Sequence, residues 1–223
     1  MDNFIKLQKR FHLLKDAYLK QAGKISIDTL DNPGWIIEID LNLKLDTKKT
    51  LIKEGVGKGD EYNEWISCWI EHGRFNGVGG PFYLKSILDV FFSLDKGNYL
   101  KCGELKKLDR SFNENCDFNY VEKIQSWYFK MCDKNWEHQY GISIFIDEKL
   151  TWNVEIALVG YKSEMIIVDT IQSEKSWFKC WVEKEMFYGK GGIENLTDIL
   201  KVFIELDEKE NFYDIRERIK VQK

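Results

Sequence analysis

The 223-residue chain contains no run of the roughly 18 apolar residues that a membrane-spanning helix requires. Its first residues, MDNFIKLQKRFHLLKD, break every apolar stretch with charge, so the uninterrupted apolar core of a signal peptide is missing as well. Both absences lead to the expectation of a soluble, cytoplasmic protein without a membrane partner. Paired cysteines are missing too. Cys68, Cys102, Cys116, Cys132 and Cys180 are odd in number and show no CxxC spacing, which fits a reducing compartment. Only His12, His72 and His138 offer an imidazole to a metal or a catalytic step. Charge excess is absent: 33 basic against 37 acidic residues leave −4, which speaks against a polybasic nucleic-acid footprint and favours a basic partner only mildly.

What the chain does contain is a copy of itself. Residues 65–80, WISCWIEHGRFNGVGG, overlay residues 177–192, WFKCWVEKEMFYGKGG, as WxxCW[IV]ExxxFxGxGG without a gap. The 112-residue offset from Trp65 to Trp177 continues through Ile87/Ile199, Leu88/Leu200, Phe91/Phe203 and Leu94/Leu206 to Asp95/Asp207. Upstream, residues 25–41 overlay residues 142–158 at an offset of 117, which also pairs Leu7 with Ile124, Gln8 with Gln125 and Asp16 with Asp133. The difference between the offsets falls in the segment joining the two matched blocks, as a surface loop would allow.

The units are therefore expected at 1–95 and 122–207. A Lys-, Asn-, Asp- and Gly-rich linker, 96–121, joins them, and a charged tail, 208–223, follows. Leu100, Leu105, Leu108 and Phe112 could pack the linker on one copy; Phe212, Tyr213 and Ile215 could anchor the tail. Units of this size either form separate small domains or dock as an intramolecular pseudo-dimer.

Periodicity assigns the elements. Phe4, Leu7, Phe11 and Leu14 recur at helical spacing, as do Ile124, Trp127, Tyr128 and Met131. Trp35, Ile37, Ile39 and Leu41 alternate with Ile36, Glu38 and Asp40, so they form opposite faces of one strand, and Trp152, Val154, Ile156 and Leu158 repeat the apolar face with Glu155 in the place of Glu38. Between the first two strands, Asp31-Asn32-Pro33-Gly34 predicts a type II turn with Gly34 at positive φ. The WxxCW segments read as strands, and the GxGG that follows reads as a turn into a helix opened by Pro81. Each copy is thus expected to be helix, three to five antiparallel strands, helix: an α+β fold built twice.

Three features invite a chemical reading. Cys132-Asp133-Lys134-Asn135-Trp136-Glu137-His138 gathers a thiol, two carboxylates and an imidazole, which is either a thiol or metal centre or a capped helix terminus closed by Trp136. The GxGG turns resemble anion-cradling loops, but neither carries the Lys-Ser/Thr of a P-loop, so a structural turn is the stronger reading. Cys68 and Cys180 alternate with apolar neighbours, as small core hydrophobes do. Eight tryptophans and ten tyrosines exceed what a plain core needs, and such residues also anchor protein interfaces.

The motifs together carry a resemblance. IQSWYFKMCDKNWEHQYGISI from Ile124, joined to ISIDTLDNPGWIIEIDL from Ile25, resembles the immunity protein 53 family of bacterial polymorphic-toxin systems. That family's pattern runs approximately WYxxxCDxxWEHxYGIxIxTLDNPGWxxxIDL in a single unit. Here the signatures are divided: copy one keeps Thr29 to Trp35 but has Leu19-Lys20-Gln21 where WEH belongs, and copy two keeps Cys132 to Gly141 but lacks DNPG before Trp152.

The resemblance implies a cytosolic antitoxin that binds a cognate secreted or contact-delivered toxin domain, often a nuclease, and blocks its active site without catalysis, metal or cofactor. Candidate toxin-binding residues are Asp31, Asn32, Glu38 and Asp40 in copy one and Trp136, Glu137, His138 and Tyr140 in copy two. Two other readings stay open: a thiol- or metal-dependent enzyme using Cys132 to His138, and a protein-binding scaffold with no toxin partner.

Overall fold

A computed structural model describes residues 2–18, 24–41, 48–55, 64–94, 119–171, 173 and 176–221. The first copy runs α1 (Asn3–Tyr18), β1 (Ile25–Leu30), β2 (Gly34–Asp40), β3 (Lys49–Glu54), β4 (Ile66–Glu71), β5 (Arg74–Gly79) and α2 (Leu84–Ser93). The second runs α3 (Tyr120–Met131), a short 3₁₀ turn at Trp136–His138, β6 (Ile142–Ile146), β7 (Trp152–Ala157), β8 (Met165–Ile171), β9 (Trp177–Glu183), β10 (Met186–Gly191) and α4 (Leu196–Glu210). A last helix, α5 (Phe212–Val221), follows Asn211, whose left-handed backbone ends α4. Linker residues Leu100, Leu105, Leu108 and Phe112, the Leu19-Lys20-Gln21 triplet and the side chain of Leu14 lie outside the described residues.

The strands form one antiparallel sheet of ten, in the order β3-β4-β5-β2-β1-β6-β7-β10-β9-β8. Its two halves meet where β1 pairs with β6: Ser26 opposite Phe145, Ile27 opposite Ile144, Asp28 opposite Ser143. Ile27 and Ile144 are equivalent positions of the repeat, so exchanging the copies maps this register onto itself. Two strands that each left an edge N–H and C=O row unpaired satisfy one another here.

The alternation expected for β2 and β7 is present, with Trp35, Ile37, Ile39, Trp152, Val154 and Ile156 all fully buried on the helix-covered face. Each leading helix then straddles the junction. Arg10 of α1 lies over the Phe91 ring of its own copy at 4.8 Å, while Phe11 meets Trp152 of the other at 6.0 Å. At the equivalent positions of α3, Trp127 packs on Phe203 at 5.0 Å and Tyr128 on Trp35 at 4.8 Å. The glutamines that matched in sequence work reciprocally: Gln8 Oε1 accepts from Thr197 N at 3.0 Å, and Gln125 Oε1 from Lys85 N at 3.4 Å, each supplying an acceptor to the first turn of the other copy's last helix. Trp35 and Trp152 donate their indole N–H to Pro81 O and Ile193 O, both at 3.0 Å.

Two local expectations are corrected. Gly34 does not adopt positive φ; it opens β2, and what requires glycine there is room, because a Cβ would overlap Gly79 O of the neighbouring strand. Likewise Gly77 and Gly79 are not a turn but part of β5, and Pro81 precedes a helix that begins only at Leu84. A Cβ on Gly77 would strike Ile87, and one on Gly189 would strike Ile199, so these glycines let a helix sit directly on the sheet. The reversal glycine of this region is Gly73, at φ 71° between β4 and β5.

The tail is anchored: Phe212 is buried edge-on to Tyr161 at 5.0 Å, and Tyr213 and Ile215 are partly buried against the core. Because each leading helix is shared, fragments 1–95 and 122–223 produced separately are expected to be insoluble or to associate when mixed. Size-exclusion chromatography checks this, and two stable, non-associating fragments would contradict it.

Candidate functional site

The junction strands carry the two divided signatures to one place. Thr29, near the end of β1, accepts from Ile142 N through its Oγ1 at 3.0 Å, and a Cβ on Gly141 would overlap that oxygen, so the threonine needs glycine opposite. Tyr128 reaches across from α3. Its Oη accepts from Gly34 N at 3.1 Å and donates to Leu30 O at 3.3 Å, so one phenol holds both ends of the Asp31-Asn32-Pro33 reversal. Burial, then the neighbouring Cys132, pushes that phenol's pKa up and keeps it a hydrogen-bonding alcohol.

The Cys132 to His138 segment is a folded loop whose polar groups are largely spent on its own backbone. Asp133 Oδ1 accepts from Asn135 N and Trp136 N at 3.0 and 2.8 Å. Glu137, 3% exposed, accepts from Asp133 N and Lys134 N at 2.9 and 2.8 Å. Trp136, also 3% exposed, packs edge-on to Trp127 at 5.9 Å and against Tyr128 and Tyr140. Arg216 of α5 is buried behind the loop, donates to Met131 O and lies 3.7 Å from Asp133.

Cys132 donates to Tyr128 O at 3.3 Å, and burial followed by the Glu137 charge pushes its thiol up to about 12. A nucleophilic cysteine needs the opposite shift, since the thiolate is the reactive form. Cys180 is likewise pushed up to about 12 by burial, and Cys68 is raised by the same cause, as expected of core cysteines. Among the described residues no group of three or more His, Cys, Asp or Glu is arranged to hold a metal ion.

What remains on the surface is a composite of both copies. His138 Nδ1 lies 2.7 Å from Asp31 Oδ1, with the His138 side chain 40% and the Asp31 side chain 79% exposed. They border an open cleft of about 370 Å³ whose lining includes Asp28, Thr29, Tyr140, Ser143 and Glu155. Tyr140 is exposed at its rim, and Asn32 is exposed beside Asp31 on the reversal.

Glu38 and Asp40 lie apart on the sheet face opposite the described helices, where Arg74 sits 3.5 Å from Glu38 and 2.7 Å from Asp40. Of the eight residues singled out in sequence, the structure thus gathers Asp31, His138 and Tyr140 around one cleft with Asn32 beside them. Glu137 lines that cleft but is almost fully buried, Trp136 is buried, and Glu38 and Asp40 lie elsewhere. Asp28 and Ser143 join the cleft only through the β1–β6 pairing, and Glu155, which the repeat sets in the place of Glu38, follows through β6–β7; strand alternation is the signal that places all three on the face opposite the core.

The half-buried Cys132 thiol is pushed away from reactivity, and the groups left at the surface are carboxylates, an imidazole and a phenol. The match to known proteins says what kind of protein carries them. A family model described as Immunity protein 53 matches residues 6–96 and again residues 121–208, and the chain belongs to that family. It is accordingly an immunity protein, which acts by binding a cognate toxin domain. No curated protein and no solved structure matches the chain. Among the described residues no helix is long and apolar enough to cross a membrane.

Replacing Tyr128 by Phe removes the partner of two backbone groups at the junction and is expected to cost about 1–3 kcal/mol in urea unfolding, the range for leaving buried backbone groups unsatisfied. A loss below about 0.5 kcal/mol would show that the phenol does not hold the reversal.

Proposed function

We propose that the composite cleft at the junction is the part of this immunity protein that meets the toxin, and that the two repeats act as an intramolecular pseudo-dimer to build it. The observation that carries this reading is the Asp31–His138 contact, which joins the signature kept by copy one to the signature kept by copy two. Asp31, Asn32, His138 and Tyr140 are the contacting residues. Glu38 and Asp40, both beside Arg74, are candidate contacts apart from the cleft. Trp136 and Glu137 hold the loop that presents His138.

The cognate toxin is a nuclease, occluded at its active site. A nuclease cleft is basic where it binds phosphate, and Asp28, Asp31 and Glu155 lie at this cleft with an aromatic rim beside them. Complementary charge of this kind accelerates encounter and fixes orientation, while aromatic burial slows release. Inhibition by occlusion asks no bond-making of the inhibitor. On this reading residues 1–95 and 122–207 are the structural units, 96–121 the linker and 208–223 the tail, and the protein acts in the cytoplasm of the producing cell, where an incoming toxin would reach its substrate.

The test is co-expression with the toxin domain encoded immediately upstream. The wild-type chain is expected to restore growth, and Asp31→Lys combined with Tyr140→Ala to abolish protection while leaving the melting temperature within about 2 °C, since both side chains are exposed. Undiminished protection by the double variant would remove the cleft from the toxin interface. Continued killing in the presence of abundant soluble wild-type chain would remove the upstream toxin as the partner.

A further inference from the structure

The cleft does not end at Glu155. On the face of the sheet opposite the described helices, the strand registers place Asp28 opposite Ser143, Ser143 opposite Glu155, Glu155 opposite Tyr188, Tyr188 opposite Trp181, and Trp181 opposite Ile166. These six side chains form one row across six adjacent strands, from the junction to the edge strand β8. At the usual strand spacing the row is about 24 Å long. Its inner end is acidic and its outer end apolar: Trp181 and Tyr188 are stacked at 5.3 Å with planes 20° apart, and Ile166 beside them is 66% exposed. The lysines nearest the row are already neutralised, Lys179 by Asp169 at 3.3 Å and Lys190 by Asp147 at 3.6 Å.

The repeat supplies an internal comparison. The corresponding row runs from Phe145, opposite Ser26, through Ser26, Glu38, Asn76 and Trp69 to Thr50. There Asn76 stands where Tyr188 stands, and Thr50 where Ile166 stands. Trp69 is also satisfied within its own copy, with Lys48 Nζ 4.8 Å over its ring and its indole N–H donated to Glu71 at 3.1 Å. Glu38 is paired with Arg74. One row therefore runs from an acidic junction end to an exposed apolar outer end, whereas the other has Phe145 at the junction, a polar outer end at Thr50, and Glu38 and Trp69 paired within the copy.

We infer that the Asp28-to-Ile166 row is the face on which the toxin domain docks, with one toxin bound per chain. The inference rests on the reading of the chain as a toxin-binding inhibitor and adds the surface, its orientation and its stoichiometry. The occupant is a folded protein surface with an apolar projection, seated on Ile166, Trp181 and Tyr188, and a basic side chain reaching Asp28 and Glu155 at the other end. An apolar anchor beside complementary charge is the arrangement that concentrates binding energy in a few residues. The divided signatures leave one complete cleft at the junction, so a second, symmetry-related toxin has no equivalent surface to occupy.

Isothermal titration of the full chain with the upstream toxin domain, produced in a cell-free system, tests this directly. The expected result is one toxin per chain, a Kd raised at least tenfold by Ile166→Lys and by Glu155→Lys, and a change under twofold for Thr50→Lys in the other row. Thermal melts accompany each variant, and both substituted rows lie on the face opposite the described helices, so folding is expected to survive. Toxin binding that tolerates Ile166→Lys and Glu155→Lys within twofold, or two toxins per chain, would overturn the row while leaving the inhibitor reading intact. A wild-type chain that binds none of this toxin would overturn that reading and the row with it. Self-association of the free chain that Ile166→Lys abolishes would reassign the apolar end to a second copy.

Discussion

The antiparallel pairing of β1 with β6 is the interaction on which the rest of the structure depends. It joins two five-stranded sheets at a register centred on Ile27 and Ile144, equivalent residues of the repeat. An edge strand is a liability when it stays open, and here the same sequence feature, used twice, closes it. Once β1 and β6 are adjacent, α1 and α3 both lie over the junction. Phe11 then packs on Trp152, Tyr128 on Trp35, and the two equivalent glutamines bridge to opposite last helices. Aromatic pairs of this kind contribute roughly 0.5–1.5 kcal/mol each beyond the area they bury. Much of what stabilises one copy therefore comes from side chains of the other.

The same pairing explains how a divided signature remains one surface. Copy one lost its own WEH segment and copy two lost its DNPG reversal, yet the junction sets the surviving halves against each other. Thr29 meets Ile142, Tyr128 spans Leu30 to Gly34, and Asp31 meets His138. Position 128 records the division at the level of one atom. Its equivalent, Phe11, has no hydroxyl, and the loop before Trp152 begins at Ile146 and ends at Thr151, where copy one has Thr29 and Gly34. At the equivalent position of copy one the phenol is absent and the aromatic ring serves packing alone.

Much of this is legible in the sequence. Strand alternation identifies the buried face of β2 and β7 residue by residue, and the 117-residue offset pairs Gln8 with Gln125. The paired offsets correctly announced helix, sheet, helix, twice. What was not legible depended on contacts distant in sequence. The GxGG motif looks like a turn because its glycines are close together. In the fold, Gly77 and Gly79 alternate on a strand, and their missing side chains make room for Ile87 and for Tyr83. Gly34 misled for a related reason, since a Pro-Gly pair reads as a turn whether glycine is needed for its φ or for its size. The cleft itself could not be read at all without knowing that β1 and β6 are neighbours, because Asp28 and Ser143 are 115 positions apart.

The claim that matters most is that the junction makes one cooperative body of the two copies. Native-state hydrogen exchange on the full chain reads this at the amides of residues 26–28 and 143–145, against those of β2 and β7 within each copy. The account predicts that both sets exchange only through global unfolding, with the same free energy and the same denaturant dependence. Junction amides that exchange through a low-energy opening, while β2 and β7 stay protected, would show two independent units touching at an edge and would contradict it.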